Sequence, residues 1–234
     1  MPMRSGSIAV RSPSRVLFRG YAKGALAPPP HSLAVMGSHE RPGGWKVIRS
    51  DYVVETPYLR LRRDHIELPS GEQIEDYFVR ESRGFAVIFA LTPDERVVLV
   101  RQYKHGIGLG VLELPAGSID EGETPAACAR RELAEETGFV GEPAEPIHVR
   151  SFVTDPTNSD SRLHLFMVRN ARAQGAQALD ATEDIVVEFA TLSALRRYVT
   201  DGTIEVSSHI ACIYVMLDHL GRLSPSETRT DGGG

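Results

Sequence analysis

At 234 residues, with 41% hydrophobic and 24% charged residues, the chain suits one substantial core carrying extensions, and no stretch is long enough to span a bilayer. A formal net charge of -5 excludes nonspecific duplex binding, which draws its affinity from clustered Lys and Arg, so neither nucleic acid nor a membrane is an expected partner. Two cysteines, Cys128 and Cys212, make neither a disulfide framework nor a zinc site; they read as buried small apolar residues in a reducing, cytoplasmic setting.

Residues 1 to 39 hold five basic residues, no acidic ones and the run Pro28, Pro29, Pro30, so no apolar face can be drawn and a disordered tail over residues 1–40 is expected. An Arg-rich, acid-free start also fits an organellar transit peptide, which leaves that location as the alternative. Residues 41–80 form a strand-rich extension. Its strands are expected around Trp45 to Ile48, Tyr52 to Val54, Tyr58 to Leu61 and Ile66 to Leu68, and Pro69, Ser70 and Gly71 turn the chain into a last strand from Ile74 to Val79.

The main domain is expected over residues 81–221. Phe85 to Leu91 and Val97 to Val100 read as a hairpin of buried strands around Pro93, Asp94 and Glu95. A short strand, Leu112 to Leu114, runs into Pro115, Ala116 and Gly117. Thr124 then caps a helix with Pro125 at its first position, and Gly138 ends it. On that helix Ala126, Ala129 and Leu133 share a core-facing stripe, leaving an acidic side opposite. Strands follow at Ile147 to Val153, Leu163 to Val168 and Ile185 to Phe189, then helices near Leu192 to Tyr198 and Ser207 to Leu220. Residues 222–234, rich in Ser, Thr and Gly, are expected to fray.

The acidic side carries the chemistry. Glu132, Glu135 and Glu136 stand three and four residues apart, so they leave one side of the helix within reach of a shared ion, with Asp120, Glu121 and Glu123 approaching from the preceding loop. Like charges at this spacing repel, and a divalent cation reverses the penalty. Carboxylates without His or Cys select a hard ion, magnesium or manganese. A glutamate-rich helix is more often a plain solvated face; the surrounding residues decide against that reading here.

Gly117, then five residues, Glu123, then seven residues, then Arg131, Glu132, Leu133, Ala134, Glu135, Glu136, Thr137, Gly138 and Phe139 resemble the Nudix box. The resemblance extends over about Trp45 to Leu220 to the ADP-ribose pyrophosphatase, or nucleoside diphosphate sugar hydrolase, branch. It is carried there by Arg101, Gln102, Tyr103 and Lys104 and by Glu113 to Gly117, with Pro156 near the place of that branch's proline. It implies an α+β Nudix fold, a mixed sheet between helices, with an N-terminal antiparallel extension. It further implies metal ligation by Glu132, Glu135, Glu136 and the Ala116 carbonyl, a bracing Glu123–Arg131 pair, and a turn at Gly117.

By the same resemblance Arg101 and Lys104 hold the substrate, Glu183 is a candidate general base in competition with the box carboxylates, and the polar loop Asn158, Ser159, Asp160 accompanies the pocket. The extension is expected to form a homodimer interface, where Trp45, Tyr52 or Tyr77 would stack on a nucleobase or simply pack the sheet. His105, His148, His164 and His209 stand apart from one another and read as structural. The expected reaction is magnesium-dependent hydrolysis of ADP-ribose or a related nucleoside diphosphate sugar. UDP-glucose or GDP-mannose hydrolysis, and a non-catalytic ADP-ribose sensor, are the alternatives.

Overall fold

The structure is a computed structural model that describes residues 44–222, so both expected tails, apart from Arg222, lie outside the described residues. The elements run in chain order as β1 (Lys46–Glu55), β2 (Arg60–Glu67), β3 (Gln73–Glu81), β4 (Phe85–Ala90), β5 (Arg96–Lys104), β6 (Leu109–Glu113), β7 (Ala116–Ser118), α1 (Pro125–Thr137), β8 (Phe139–Val140), β9 (Ile147–Val153), β10 (Arg162–Val168), β11 (Arg172–Ala173), β12 (Ile185–Thr191), α2 (Leu192–Thr200) and α3 (Ser207–His219).

β1, β2 and β3 form an antiparallel sheet, with β1 a single bulged strand where two shorter ones were expected. The main domain has the expected α+β architecture. One sheet has the order β7-β4-β10-β9 and is mixed, because β4 and β10 run parallel while their outer neighbours are antiparallel. A second, antiparallel sheet has the order β12-β5-β6.

The expected β4–β5 hairpin does not form. Only the bridge between Leu91 and Val97 joins the two segments, and beyond it β4 enters one sheet and β5 the other. Both strands are apolar on both faces, so burial alone could not tell a shared ladder from two separate ones. The short β8–β11 pair was not anticipated either, since two-residue strands carry no periodicity.

Strand alternation distributes the core. Val87, Phe89, Leu165 and Met167 pack with Leu195 of α2 and with Cys212, Ile213 and Met216 of α3. Ala86, Ile88, Ala90, Phe166 and Val168 pack with Cys128, Ala129 and Leu133 of α1. Successive residues point to opposite faces of a strand, so β4 and β10 are clad by α1 on one side and by α3 on the other, while α2 lies against β5 and β12.

The N-terminal sheet is tied to the loop between β9 and β10. Arg80 N–H donates to the Asn158 carbonyl at 2.8 Å, Tyr77 Oη to the Thr157 carbonyl at 2.6 Å, and Asn158 Nδ2 to the Phe78 carbonyl at 3.2 Å. Asp160 Oδ1 accepts from the Ser82 N–H at 2.8 Å.

Candidate active site

α1 forms where its caps dictate. Thr124 Oγ1 accepts from the Ala127 N–H at 3.2 Å, Pro125 needs no donor at the first position, and Gly138 adopts φ +73° to close the helix with its N–H on the Ala134 carbonyl. The expected division of α1 into a buried apolar side and an acidic outer side is corrected. Glu132 is 9% exposed and Glu136 only 3%, while Glu135 keeps more contact with solvent.

Burial is the main reason both carboxyls are pushed up, Glu136 to about 8 and Glu132 in the same direction. A carboxylate with little water loses hydration that neighbours must replace. Around Glu136 the Ala116 N–H supplies part, donating to Oε2 at 3.0 Å, and the Lys104 charge supplies more. Glu132 and Glu183 act against it, which places the Glu183 charge within electrostatic reach of both box carboxyls.

Gly117 is required by close approach: a Cβ there would overlap the Glu132 carboxylate. Arg131 organises the outer part of the site. Its guanidinium meets both Glu123 oxygens at 3.0 and 2.9 Å, Glu132 Oε1 at 2.7 Å and Glu135 Oε2 at 3.0 Å, and it donates to the Ser118 carbonyl at 3.1 Å. The Glu123 bonds raise Arg131 well above its ordinary range, and Arg131 lowers Glu123 in turn. The pair ties the loop before α1 to the helix.

Glu183, on the exposed loop before β12, accepts the Asp180 N–H at 2.9 Å. That loop is anchored to α1: Ala178 N–H donates to the Glu135 carbonyl at 2.9 Å, and Gln177 Nε2 donates to the Glu136 carbonyl at 2.6 Å and the Ile185 carbonyl at 3.0 Å. Glu132, Glu136, Glu183, Lys104 and Ala116 therefore come together. The other expected substrate residues make contacts of their own. Arg101 is paired with Glu188, and Trp45 meets the edge of Tyr77 with ring centroids 5.8 Å apart.

The donor set around Glu132 and Glu136 is oxygen-only, which suits a hard divalent cation. Among the described residues, no three acidic, His or Cys side chains already converge as a cage, because Arg131 holds an oxygen of Glu132 and one of Glu135.

A cavity of about 760 Å³ opens on the α3 side of β4 and β10, lined by Phe78, Arg80, Phe85, Phe152, Asn158 and Ser208 among others. None of the box carboxylates lines it. Its link to the box is a strand pairing: Phe85 stands opposite Ser118, the residue after Gly117.

Glu113 and His209 meet in the interior, a contact not expected from the sequence. A glutamate inside the apolar run Val111 to Leu114, and a histidine in step with Cys212, Ile213 and Met216 on a helix, were the available signals. Both are buried, at 3% and 4% exposure.

The NUDIX domain family model matches residues 81–206, and the nucleoside diphosphate sugar hydrolase N-terminal domain model matches residues 45–79. A methanol dehydrogenase activator of Bacillus methanolicus is 31% identical over 72% of this chain and 90% of its own length. An ADP-ribose pyrophosphatase of Bacillus subtilis is 28% identical over 63% of this chain and 78% of its own. A solved ADP compounds hydrolase superposes with a TM-score of 0.65 over 76% of this chain and 97% of its own, at 18% identity, a likeness of fold. With the family model covering more than half its length and the box carboxylates gathered on α1, the chain belongs to the NUDIX family and is a Nudix hydrolase.

Proposed function

We propose that the protein hydrolyses the diphosphate bond of a nucleoside diphosphate sugar, with ADP-ribose the leading substrate, giving a nucleoside monophosphate and a sugar phosphate. The observation that carries this reading is the pair of buried carboxyls Glu132 and Glu136, with the Glu183 charge acting on both. Carboxyls that burial holds toward the protonated form give up their protons when a cation replaces the missing hydration, so the pair suits a metal ion. The match of residues 45–79 to the nucleoside diphosphate sugar hydrolase model, and the relatives named ADP-ribose pyrophosphatase, support the substrate class.

Magnesium, or manganese in its place, would be held by Glu132, Glu136 and the Ala116 carbonyl, with Glu135 joining when released by Arg131. Bound there, the ion neutralises the diphosphate and makes a water more acidic. The chain's own groups do the rest. Lys104 receives phosphate charge, and Gly117 lets backbone and carboxylate approach closely. Glu183 takes the proton as the water oxygen bonds to phosphorus, and the bridging oxygen departs with the electron pair as the second monophosphate. The three phenylalanines of the cavity, Phe78, Phe85 and Phe152, with Arg80 and Asn158 at hand, suit the nucleoside half.

The extension bears exposed Val47, Ile48, Val53, Tyr58 and Phe78, more apolar surface than a free sheet face ordinarily shows, which supports a homodimer through this sheet. Two buried free cysteines agree with a cytoplasmic setting, and no described helix is long and apolar enough to cross a membrane. Assay of the purified protein with magnesium over ADP-ribose, UDP-glucose and GDP-mannose tests the proposal. AMP plus ribose 5-phosphate from the first, abolished in Glu136→Gln, is the expected result. Turnover undiminished by Glu136→Gln, together with no affinity for divalent ions, overturns it.

A further inference from the structure

Behind the box, polar groups from three elements meet around one buried carboxylate. Glu113 ends β6 at 3% exposure, and a carboxylate buried so deeply is stable only among donors. Its Oε1 accepts from Gln102 Nε2 at 2.7 Å and stands 2.8 Å from Lys104 Nζ, both from β5. Its Oε2 lies 3.4 Å from Nε2 of His209 on the first turn of α3. The other imidazole nitrogen is also engaged, since His209 Nδ1 accepts from the Leu114 N–H at 3.1 Å.

An accepting ring nitrogen carries no proton, so a neutral His209 keeps its hydrogen on Nε2, turned toward Glu113. Burial first, with help from Lys104 and against the pull of Glu113, pushes His209 down to about 4. The neutral ring is therefore the form present under ordinary conditions.

We propose that His209 is a positioning residue for substrate binding: it steadies the buried carboxylate of Glu113, which in turn holds the Lys104 ammonium beside the box. A lysine side chain is a point charge on a four-carbon stem and loses much rotamer freedom when ordered. Lys104 is half-buried, and its charge reaches Glu136, so a bracket that fixes the ammonium before the substrate arrives removes an ordering cost from binding. The same imidazole, through Leu114, also fixes the strand end that leads to Ala116. This inference rests on the assignment of Lys104 to the substrate phosphates.

The two ring nitrogens can be tested apart. In His209→Gln an amide donor replaces the Nε2 contact to Glu113. In His209→Asn an acceptor replaces the Nδ1 contact to Leu114, and Glu113 Oε2 loses its imidazole neighbour. The dissociation constant for ADP-ribose is measured by calorimetry in EDTA, where no turnover occurs, for these variants, for Lys104→Ala and for each combined with Lys104→Ala; thermal melts accompany them.

The expected result is about tenfold weaker binding in His209→Asn and in Lys104→Ala, near-normal binding in His209→Gln, and no further loss when His209→Asn is added to Lys104→Ala. Losses that multiply in the double variant, with Lys104→Ala itself weakened, overturn the positioning role and leave the Lys104 assignment standing. Unchanged binding in Lys104→Ala overturns both. A nitrogen-15 spectrum of the folded protein reads the bracket without any ligand. A His209 signal of the Nε2–H tautomer supports it, and the Nδ1–H tautomer overturns it.

Discussion

Glu136 is the residue at which acid–base behaviour and function meet. Its folded value of about 8 lies above its ordinary 4.5, so between these limits the folded chain binds a proton that the unfolded chain lacks, and stability falls as pH rises. His209 is shifted the other way, from 6.5 to about 4, so its contribution is lost as pH falls below 6.5. The window from 6.5 to 8 therefore separates Glu136 from His209. In EDTA, the melting temperature is expected to fall across that window in the native chain and to stay flatter in Glu136→Gln. Magnesium binding at pH 7 is expected to release protons, which calorimetry in buffers of differing ionisation enthalpy reads directly. Gly117→Ala places a methyl group where the Glu132 carboxylate stands. It is expected to cost about 1–3 kcal/mol of stability in a urea melt, together with most of the activity. The presence of a box of fixed spacing was legible in the letters. The depth at which Glu132 and Glu136 sit was not, because side chains i and i+4 can face a sheet as readily as they face water, and only the packing of β4 and β10 against α1 decides.

At the scale of elements, α1 was the most legible part, since Thr124, Pro125 and Gly138 each act through local backbone chemistry. β9, β10, β12, α2 and α3 fell close to their expected spans for the same reason, periodicity bounded by turn residues. The partition of β4 and β5 between two sheets was illegible because it depends on partners distant in the chain, β10 for one and β12 for the other. The segment from β11 to β12 shows how a loop without regular structure is nonetheless fixed. Gln177 satisfies a carbonyl at the end of α1 that the helix leaves unbonded, and with the same nitrogen it holds the start of β12. Gln177→Ala is expected to cost about 1 kcal/mol and to raise amide hydrogen exchange from Leu179 to Asp184. If Glu183 serves as base, kcat drops more than KM changes. Exchange unchanged from the native chain would show that the loop does not depend on this fork.

For the whole molecule, the sheet of β1, β2 and β3 presents apolar side chains outward with no described partner to cover them. Sedimentation is expected to show a dimer that Val53→Lys combined with Ile48→Lys shifts to monomer, because two buried ammonium groups on each side are costly to desolvate. Retention of the dimer by that variant would move the interface to another face. The same sheet is stitched through Tyr77, Phe78 and Arg80 to residues 157 and 158, and Phe78, Arg80 and Asn158 also line the cavity on the α3 side of β4 and β10. The proposed dimer surface and the cavity therefore meet at one small set of hydrogen bonds, two made by the side chains of Tyr77 and Asn158 and one between backbones. Two equilibria coupled through a shared mechanical element influence each other equally in both directions: were the proposed dimer and the substrate so coupled, the factor by which dilution changes substrate affinity would equal the factor by which saturating substrate changes the affinity of the two copies for each other.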